Sequence, residues 1–474
     1  PRIRPTREAS ARTAVECLRL SRGEKTLRPP RLFKECQCAN IKPMNISHRP
    51  SRPRLLIIGG GFAGLNLAKT VDKRRWDVTL VDRHNYHSFP PLFYQVASSG
   101  LESSDICFPF RREMRSRKVK GVRYRLGDVK AIDFAAKQVR TQFETIAYDS
   151  LVIAAGTTNN FFGIPDLREH VYTIKSVAQA IRCRNEVLDR LERAAISSDP
   201  AVKARLLSFV VVGGGPAGVE IAGALGEMKR YVIPREYPGL SREEMKVILV
   251  ESSDALLRAM SKASGEDAFE ALGRLMVDVR LGKTVKAYEN GVVSFTDGSA
   301  IETETVIWTA GVTGETFSVE GTEAAPGPGN RWLVDEYNRV EGLPDVYAIG
   351  DIALHVSSDY PRGCPQVAQV AIQQARNLGR NLSSGRFDRP FKYKDKGSMA
   401  TIGRNKAVVD IGKIHLSGWP AWAAWMGVHL MSLLGMRNKA VVLLNWMVSY
   451  FTFSAGLRLM LRPSKYPLRS YWDK

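Results

Sequence analysis

The sequence predicts an α/β fold: two Rossmann-like dinucleotide-binding domains, followed by C-terminal amphipathic helices that anchor on a membrane. Three observations predict it. Two glycine-rich turns of one pattern begin at Gly59 and Gly213, 154 residues apart, which is one domain length. Each follows a short, continuous apolar run (residues 55–58 and 209–212), as a strand buried on both faces requires. Near the C-terminus, two long stretches, 414–436 and 440–457, contain no Asp, Glu, Lys or Arg.

Composition bounds the rest. The 474 residues, 44% apolar and 25% charged, exclude disordered and fibrous classes. Six cysteines in a chain this long exclude a disulfide scaffold. Seven histidines show no paired metal-ligand spacing, and His84-x-x-His87 has no cysteine nearby, so no metal is expected. The net charge is +21, of which residues 1–54, with 14 Arg or Lys and 4 Glu, carry +10 and the remainder +11. The leader 1–53 has no apolar periodicity and is set outside the fold. Its glutamates and prolines interrupt any basic amphipathic presequence, and Met44 is the expected start of the protein proper. Elsewhere the basic residues are dispersed with no aromatic interleaving, which argues against a nucleic-acid partner. They gather at Arg458, Arg462, Lys465, Arg469 and Lys474, a pattern suited to an anionic lipid surface.

The first turn reads Gly59-Gly60-Gly61-Phe62-Ala63-Gly64. Gly59 permits the tight turn, Gly61 lets a diphosphate approach the backbone, and Gly64 lets the following helix sit close to the strand. That helix aims its positive end and free N–H groups at the phosphate. The next strand, 78–81, ends in Asp82, whose carboxylate can accept both ribose hydroxyls of an adenosine. The second turn repeats the design as Gly213-Gly214-Gly215-Pro216-Ala217-Gly218, and its second strand, 247–250, ends in Glu251. A carboxylate there repels the extra phosphate of NADP, so NAD is favoured.

Two dinucleotide sites on one chain suggest redox traffic, a nicotinamide delivering hydride and a flavin receiving it. Three further strand-to-turn segments agree: 151–157 with Ala155 and Gly156, 306–311 ending in Gly311, and 346–351 ending in Gly350-Asp351. An acid at the last can hydrogen-bond a polyol, and the helical pattern expected after it would face phosphate.

At this point the chain resembles the two-dinucleotide-binding-domain flavoproteins over roughly 54–400. Within them it is most similar to type II NADH dehydrogenases, the single-chain, non-pumping NADH:quinone oxidoreductases. The narrower likeness rests on 85–97, which contains Phe89-Pro90-Pro91 and Gln95, on Ala368-Gln369-Val370-Ala371-Ile372-Gln373-Gln374, on Lys396-Gly397-Ser398-Met399-Ala400, and on Ile402-Gly403-Arg404. The resemblance implies FAD at Gly59, Gly61, Phe62, Ala63, Gly64, Asp82, Gln95, Ala155, Gly156, Gly350 and Asp351. It implies NADH at Gly213, Gly215, Pro216, Ala217, Gly218, Glu251 and Gly311. It also implies a quinone, menaquinone or ubiquinone, whose head group faces Gln369 and Gln373; four residues apart, these two share one helix face. Glu220 and Lys396 map to a family pair below the flavin, read either as a proton relay or as a structural ion pair. A homodimer is a further implication. Two departures stand out: the basic leader, and Asp82 where many relatives carry Glu.

The implied organisation is an FAD domain in two parts, 54–165 and 326–410, an NADH domain over 166–325, and membrane-binding helices over 411–474. An 18-residue helix reaches about 27 Å, so a spanning helix over 440–457 is an alternative. Against it stand the polar or small stripe Asn445, Ser449, Thr452 and Gly456, the breaks at Gly418, Pro420, Gly427 and Gly435, and basic residues on both flanks. Helices lying in the interface, with Trp419, Trp422, Trp425 and Trp446 at headgroup depth, fit better. The expected place is therefore the cytoplasmic face of the inner membrane, or the mitochondrial inner membrane in a eukaryote. Disulfide reductases of this fold need a close cysteine pair, and Cys107, Cys183 and Cys364 are isolated. Cys364 keeps a sulfide:quinone oxidoreductase as one alternative, and a non-catalytic redox sensor binding FAD and NADH is another.

Overall fold

The computed structural model describes residues 52–452 and 458–460. Nearly all of the leader, to residue 51, lies outside the described residues, as do Arg462, Lys465, Arg469 and Lys474.

The apolar run after Arg52 forms β1 (Arg54–Ile58), buried beyond its first residue, and the first glycine turn leads into α1 (Phe62–Thr70). There follow β2 (Asp77–Asp82), α2 (Phe93–Ala97), β3 (Arg123–Leu126) and β4 (Ser150–Ile153). These four strands pair in parallel in the order β4-β1-β2-β3. Parallel pairing needs crossovers that cover both faces, which is why β1 and β4 read as unbroken apolar runs.

A long helix, α3 (Val177–Ile196), precedes the second unit: β5 (Ser208–Val212), α4 (Pro216–Glu227), β6 (Lys246–Val250), α5 (Lys262–Arg274), β7 (Val277–Arg280) and β8 (Thr305–Trp308). Its strands run parallel in the order β8-β5-β6-β7, the arrangement of the first sheet repeated. At its C-terminal end α4 continues into one π turn, Met228–Val232, before Pro234. Such turns often mark functional sites.

The chain then returns to the first sheet, where β9 (Leu343–Ala348) pairs parallel with β4. One expectation fails here. Gly350-Asp351 does not open a helix; it forms a 3-10 turn, Gly350–Ile352, and then a short strand, Ala353–His355, pairing with Trp332–Val334. The prolines at 361 and 365 delay the helix, and α6 begins only at Ala368 and runs to Ser384.

The C-terminal part is a three-stranded antiparallel sheet, β10 (Ser398–Thr401), β11 (Ala407–Ile411) and β12 (Ile414–Ser417), followed by α7 (Gly418–Ser432) and α8 (Met436–Thr452). Ala421, Trp425, Leu433 and Val442 of this tail belong to the same apolar core as α2, α3 and α4. The tail is thus built into the body of the protein. Among the described residues, no helix is long and apolar enough to cross a membrane.

Candidate functional site

The two glycine turns share one geometry, and it separates glycines the fold needs from glycines it does not. Gly59 and Gly213 have φ of +95° and +108°, where a side chain is strained. A Cβ on Gly59 would run into the Ala154 carbonyl, and one on Gly64 or Gly218 into the carbonyl of the turn's first glycine. Gly61 and Gly215 differ. Their φ values are −67° and −74°, open to any residue, and a Cβ on either would meet no protein atom within 4 Å. The folded chain does not require glycine there; a ligand lying against the backbone would. On that observation the residues present fit a diphosphate at each turn.

Each strand-end acid holds its own loop. Asp82 accepts from the Gly60 N–H at 2.6 Å and from the His84 N–H at 2.7 Å. Burial pushes its carboxyl above the ordinary value against the pull of those donors. Glu251 accepts from the Gly214 N–H at 2.5 Å and the Ser253 N–H at 2.8 Å. Burial opposes its charge, but these donors outweigh burial and hold the carboxyl below its ordinary value.

Beside the first turn lies a cavity of about 270 Å³ lined by Gly59, Asp82 and Ala155, with an Arg83–Glu315 ion pair on its wall. The Gly350 turn, at φ +77°, closes on the start of α1: a Cβ on Gly350 would lie 3.1 Å from that of Ala63. The Gln374 side-chain oxygen accepts the Gly350 N–H at 2.7 Å, and the Thr157 hydroxyl lies 3.4 Å from the Asp351 carboxylate. The structure thus brings Gly59, Gly61, Phe62, Ala63, Asp82, Ala155, Gly350 and Asp351 to one side of the first sheet. Sequence reasoning missed Lys175, whose ammonium is pushed down by burial and back up by the Asp351 carboxylate. It also missed His87, whose Nδ1 lies 2.9 Å from the Gly60 carbonyl and whose ring burial drives down to about 4. Lys175 carries no motif, and His87, though inside the family-like segment 85–97, is not singled out there as a site residue. At the second turn, Pro216 is the first helical residue of α4, and Gly311, at φ +69°, lies under the exposed ring of Phe162.

The remaining predicted residues sort differently from expectation. Gln369 donates to Asp395 at 3.2 Å and the Gly397 carbonyl at 3.1 Å, and accepts from the Lys396 N–H at 3.0 Å. Gln373 donates to the Lys394 carbonyl at 2.8 Å and accepts its N–H at 3.0 Å. Both amides fasten α6 to segment 394–397. Glu220 and Lys396 form no ion pair among the described residues: Lys396 is exposed, whereas Glu220 is buried beside the Thr401 backbone and Tyr94. Burial raises the Glu220 carboxyl well above its ordinary value. Gln95 donates to the Tyr94 hydroxyl at 2.7 Å and accepts from the Trp446 indole N–H at 2.8 Å, tying α2 to the tail.

A cavity of about 120 Å³ opens beneath this network. Its lining includes Tyr94, Gln95, Glu227 and Arg404 together with Trp422, Trp425 and Met426 of the tail. The Trp425 indole N–H in its wall is buried without a hydrogen-bond partner. The outward sides of α7 and α8 expose Trp419, Val428, Met431, Met436, Leu444 and Val448. Cys364 is buried beside His355.

Comparison with known proteins gives this arrangement a context. Residues 53–375 match the pyridine nucleotide-disulphide oxidoreductase family, and 396–453 match the NDH2 C-terminal domain. The chain is 35% identical over 430 residues to the type II NADH:quinone oxidoreductase Ndh of Mycobacterium tuberculosis, covering 86% of this chain and 90% of that one. It is 30% identical to the internal alternative NAD(P)H-ubiquinone oxidoreductase A1 of Arabidopsis thaliana, covering 84% of each. The fold matches the structure of NDH2 from Plasmodium falciparum in complex with NADH, with a TM-score of 0.78 at 20% identity over 87% of this chain and all of that one.

Proposed function

This chain belongs to the pyridine nucleotide-disulphide oxidoreductase family and, within it, to the type II NADH:quinone oxidoreductases, and from that premise we propose how its residues divide the work. It oxidises NADH and reduces a quinone, with FAD as cofactor. Bound FAD supplies the two-electron connection between the two substrates.

The bare Gly61 backbone and the N-terminus of α1 hold the FAD diphosphate, Asp82 its ribose, and Asp351, beside Lys175, its polyol. Gly215 and α4 hold the NADH diphosphate, and Glu251 selects the unphosphorylated ribose. The quinone head group sits in the cavity under Tyr94 and Gln95, entered between the tail helices. Gln369 and Gln373 shape the quinone side by fixing segment 394–397 rather than by offering free amides. The observation that carries this reading is the cavity itself, whose lining combines Gln95, Glu227 and Arg404 with the tail tryptophans Trp422, Trp425 and Trp446, as a carbonyl-bearing ring on a lipid tail requires.

The exposed apolar side of α7 and α8 seats the protein on the bilayer surface, where isoprenoid quinones dissolve. The cytoplasmic face of the inner membrane, or the mitochondrial inner membrane in a eukaryote, is the proposed location. No contact among the described residues bears on the homodimer.

Stopped-flow mixing tests the reading. NADH should bleach the bound flavin, and a short-tail quinone should restore its colour at the rate of steady-state turnover. Bleaching without quinone-driven recovery would favour a redox sensor, and bleaching by sulfide in place of NADH would favour the sulfide enzyme.

A further inference from the structure

The reaction consumes one proton from solvent: NADH, a proton and a quinone give NAD⁺ and a quinol. The hydride supplied by NADH accounts for the electron pair and one hydrogen of the quinol. The second hydrogen must enter a cavity walled by tryptophans. We infer that Glu227 is the acid that delivers it to the quinone carbonyl. This inference rests on the reading of the cavity as the quinone seat.

Glu227 is the last residue of α4, at the start of the π turn, and supplies the only carboxyl among the described residues lining the cavity. The other charged groups facing that space are Arg404 and Arg458, whose guanidinium groups keep their protons in proteins, and the phenols of Tyr94, Tyr231 and Tyr450 also line it. Arg458 is also paired with Glu236 outside the cavity. Tyr94 is a poor acid here, because burial drives its hydroxyl well above the ordinary value, with Glu220 and Glu227 adding to the rise. Glu220, seven residues earlier on the same helix, is about 10.5 Å away along the axis and does not line the cavity.

The surroundings of Glu227 suit both halves of a proton cycle. Burial raises its carboxyl above the ordinary carboxylate value, so it holds its proton to higher pH than an exposed acid, while Arg404 opposes the rise. The Arg404 N–H donates to one carboxyl oxygen, which leaves the other for the cavity. When the Glu227 O–H bond breaks and a quinone O–H bond forms, the resulting carboxylate stays next to that N–H and the Arg404 charge. Water at the cavity mouth returns the proton between turnovers.

Glu227→Gln separates this role from a structural one, because the amide oxygen still accepts the Arg404 N–H. Wild-type quinone reduction should slow as pH rises through the raised Glu227 pKa. In Glu227→Gln the kcat should fall roughly 100-fold, its pH dependence should flatten, and the quinone KM should stay put. Glu227→Asp should recover part of the rate. Independently of turnover, the infrared difference spectrum of wild type minus Glu227→Gln should show a protonated-carboxyl band, the band of the buried Glu220 cancelling between the two. An unchanged pH profile in Glu227→Gln, or no such band in the difference spectrum, overturns the inference. Trp422→Ala tests the underlying reading: if it leaves the quinone KM unchanged, the cavity is not the seat. If it raises KM while Glu227→Gln keeps the wild-type profile, only the role of Glu227 falls.

Discussion

Glu251 accepts the Gly214 N–H at 2.5 Å, so the acid proposed to face the NADH ribose also clamps the loop that would cradle the diphosphate. The two duties are separable by substitution. Glu251→Gln keeps an acceptor for Gly214 and loses the charge. The kcat/KM preference for NADH over NADPH should then fall about tenfold, equivalent to about 1.4 kcal/mol, with little change in melting temperature. Glu251→Ser loses both, weakening each nucleotide and costing about 1 kcal/mol of stability. A ratio that does not move in Glu251→Gln would mean that the carboxylate does not meet the ribose.

The glycine geometry makes a sharper prediction. Gly61→Ala should fold with near wild-type stability and lose flavin, because nothing in the protein occupies the space of the new methyl group. Gly59→Ala should compromise folding itself, since the methyl meets the Ala154 carbonyl at φ +95°. Flavin content per chain set against melting temperature distinguishes the two. If Gly61→Ala retained its flavin, the diphosphate would lie elsewhere.

Gln369→Leu removes three hydrogen bonds to segment 394–397, each worth about 0.5–1.5 kcal/mol. The variant should lose stability and quinone turnover together, and amide exchange at 394–397 should accelerate. Loss of quinone turnover with unchanged exchange would instead mark the amide as a direct quinone contact.

Much of this was legible in the sequence, for physical reasons. Strands buried on both faces must be continuously apolar, so 55–58 and 209–212 announced themselves, and a turn under a diphosphate can carry little but glycine. What stayed hidden depends on contacts between distant residues. Gln95 and Trp446 are 351 residues apart, and no local pattern foretells their bond. Lys175 sits in an ordinary segment and acquires meaning only from Asp351 across the fold. The pairing of Glu220 with Lys396 failed for the same reason: the position of a lysine in a family motif does not fix where a long, exposed side chain reaches. Trp425 was read as an interfacial residue, yet it is buried in the core, because an apolar run does not say which of its sides faces protein.

His415 joins two units through its ring. Its Nδ1 meets Asp410 of β11 and its Nε2 meets Asp267 of α5, both at 2.9 Å. Both nitrogens donate only when the ring is protonated, and the hydrogen bonds to Asp410 and Asp267 raise its pKa above 6.5. A raised cation contributes stability that is complete below pH 6.5 and is lost as pH rises through the raised value. The cluster is partly exposed, so screening holds the effect to about 1 kcal/mol or less. The melting-temperature difference between wild type and His415→Asn should be largest below pH 6.5 and shrink toward alkaline pH. A difference independent of pH would show a neutral ring.

The membrane reading is best tested on the surface of the tail, and the fold dictates why. Cutting the chain near residue 410 would strip Ala421, Trp425, Leu433 and Val442 from the core that α2, α3 and α4 share. At about 1.5–3 kcal/mol for each large buried side chain, that loss rivals the roughly 5–15 kcal/mol by which a domain is stable. A truncated protein that failed to bind vesicles would therefore say nothing about lipid. Met431 and Leu444 offer a cleaner change, being 72% and 55% exposed on α7 and α8. Replacing both by Glu removes about 2 kcal/mol of interfacial burial at each position and sets negative charge against anionic lipid, a fall of roughly a thousandfold in partitioning. NADH oxidation by a water-soluble acceptor should be unchanged, and reduction of a long-tail quinone in liposomes should collapse while that of a short-tail analogue survives. Retention of the double variant on anionic vesicles would place the docking surface elsewhere on the protein.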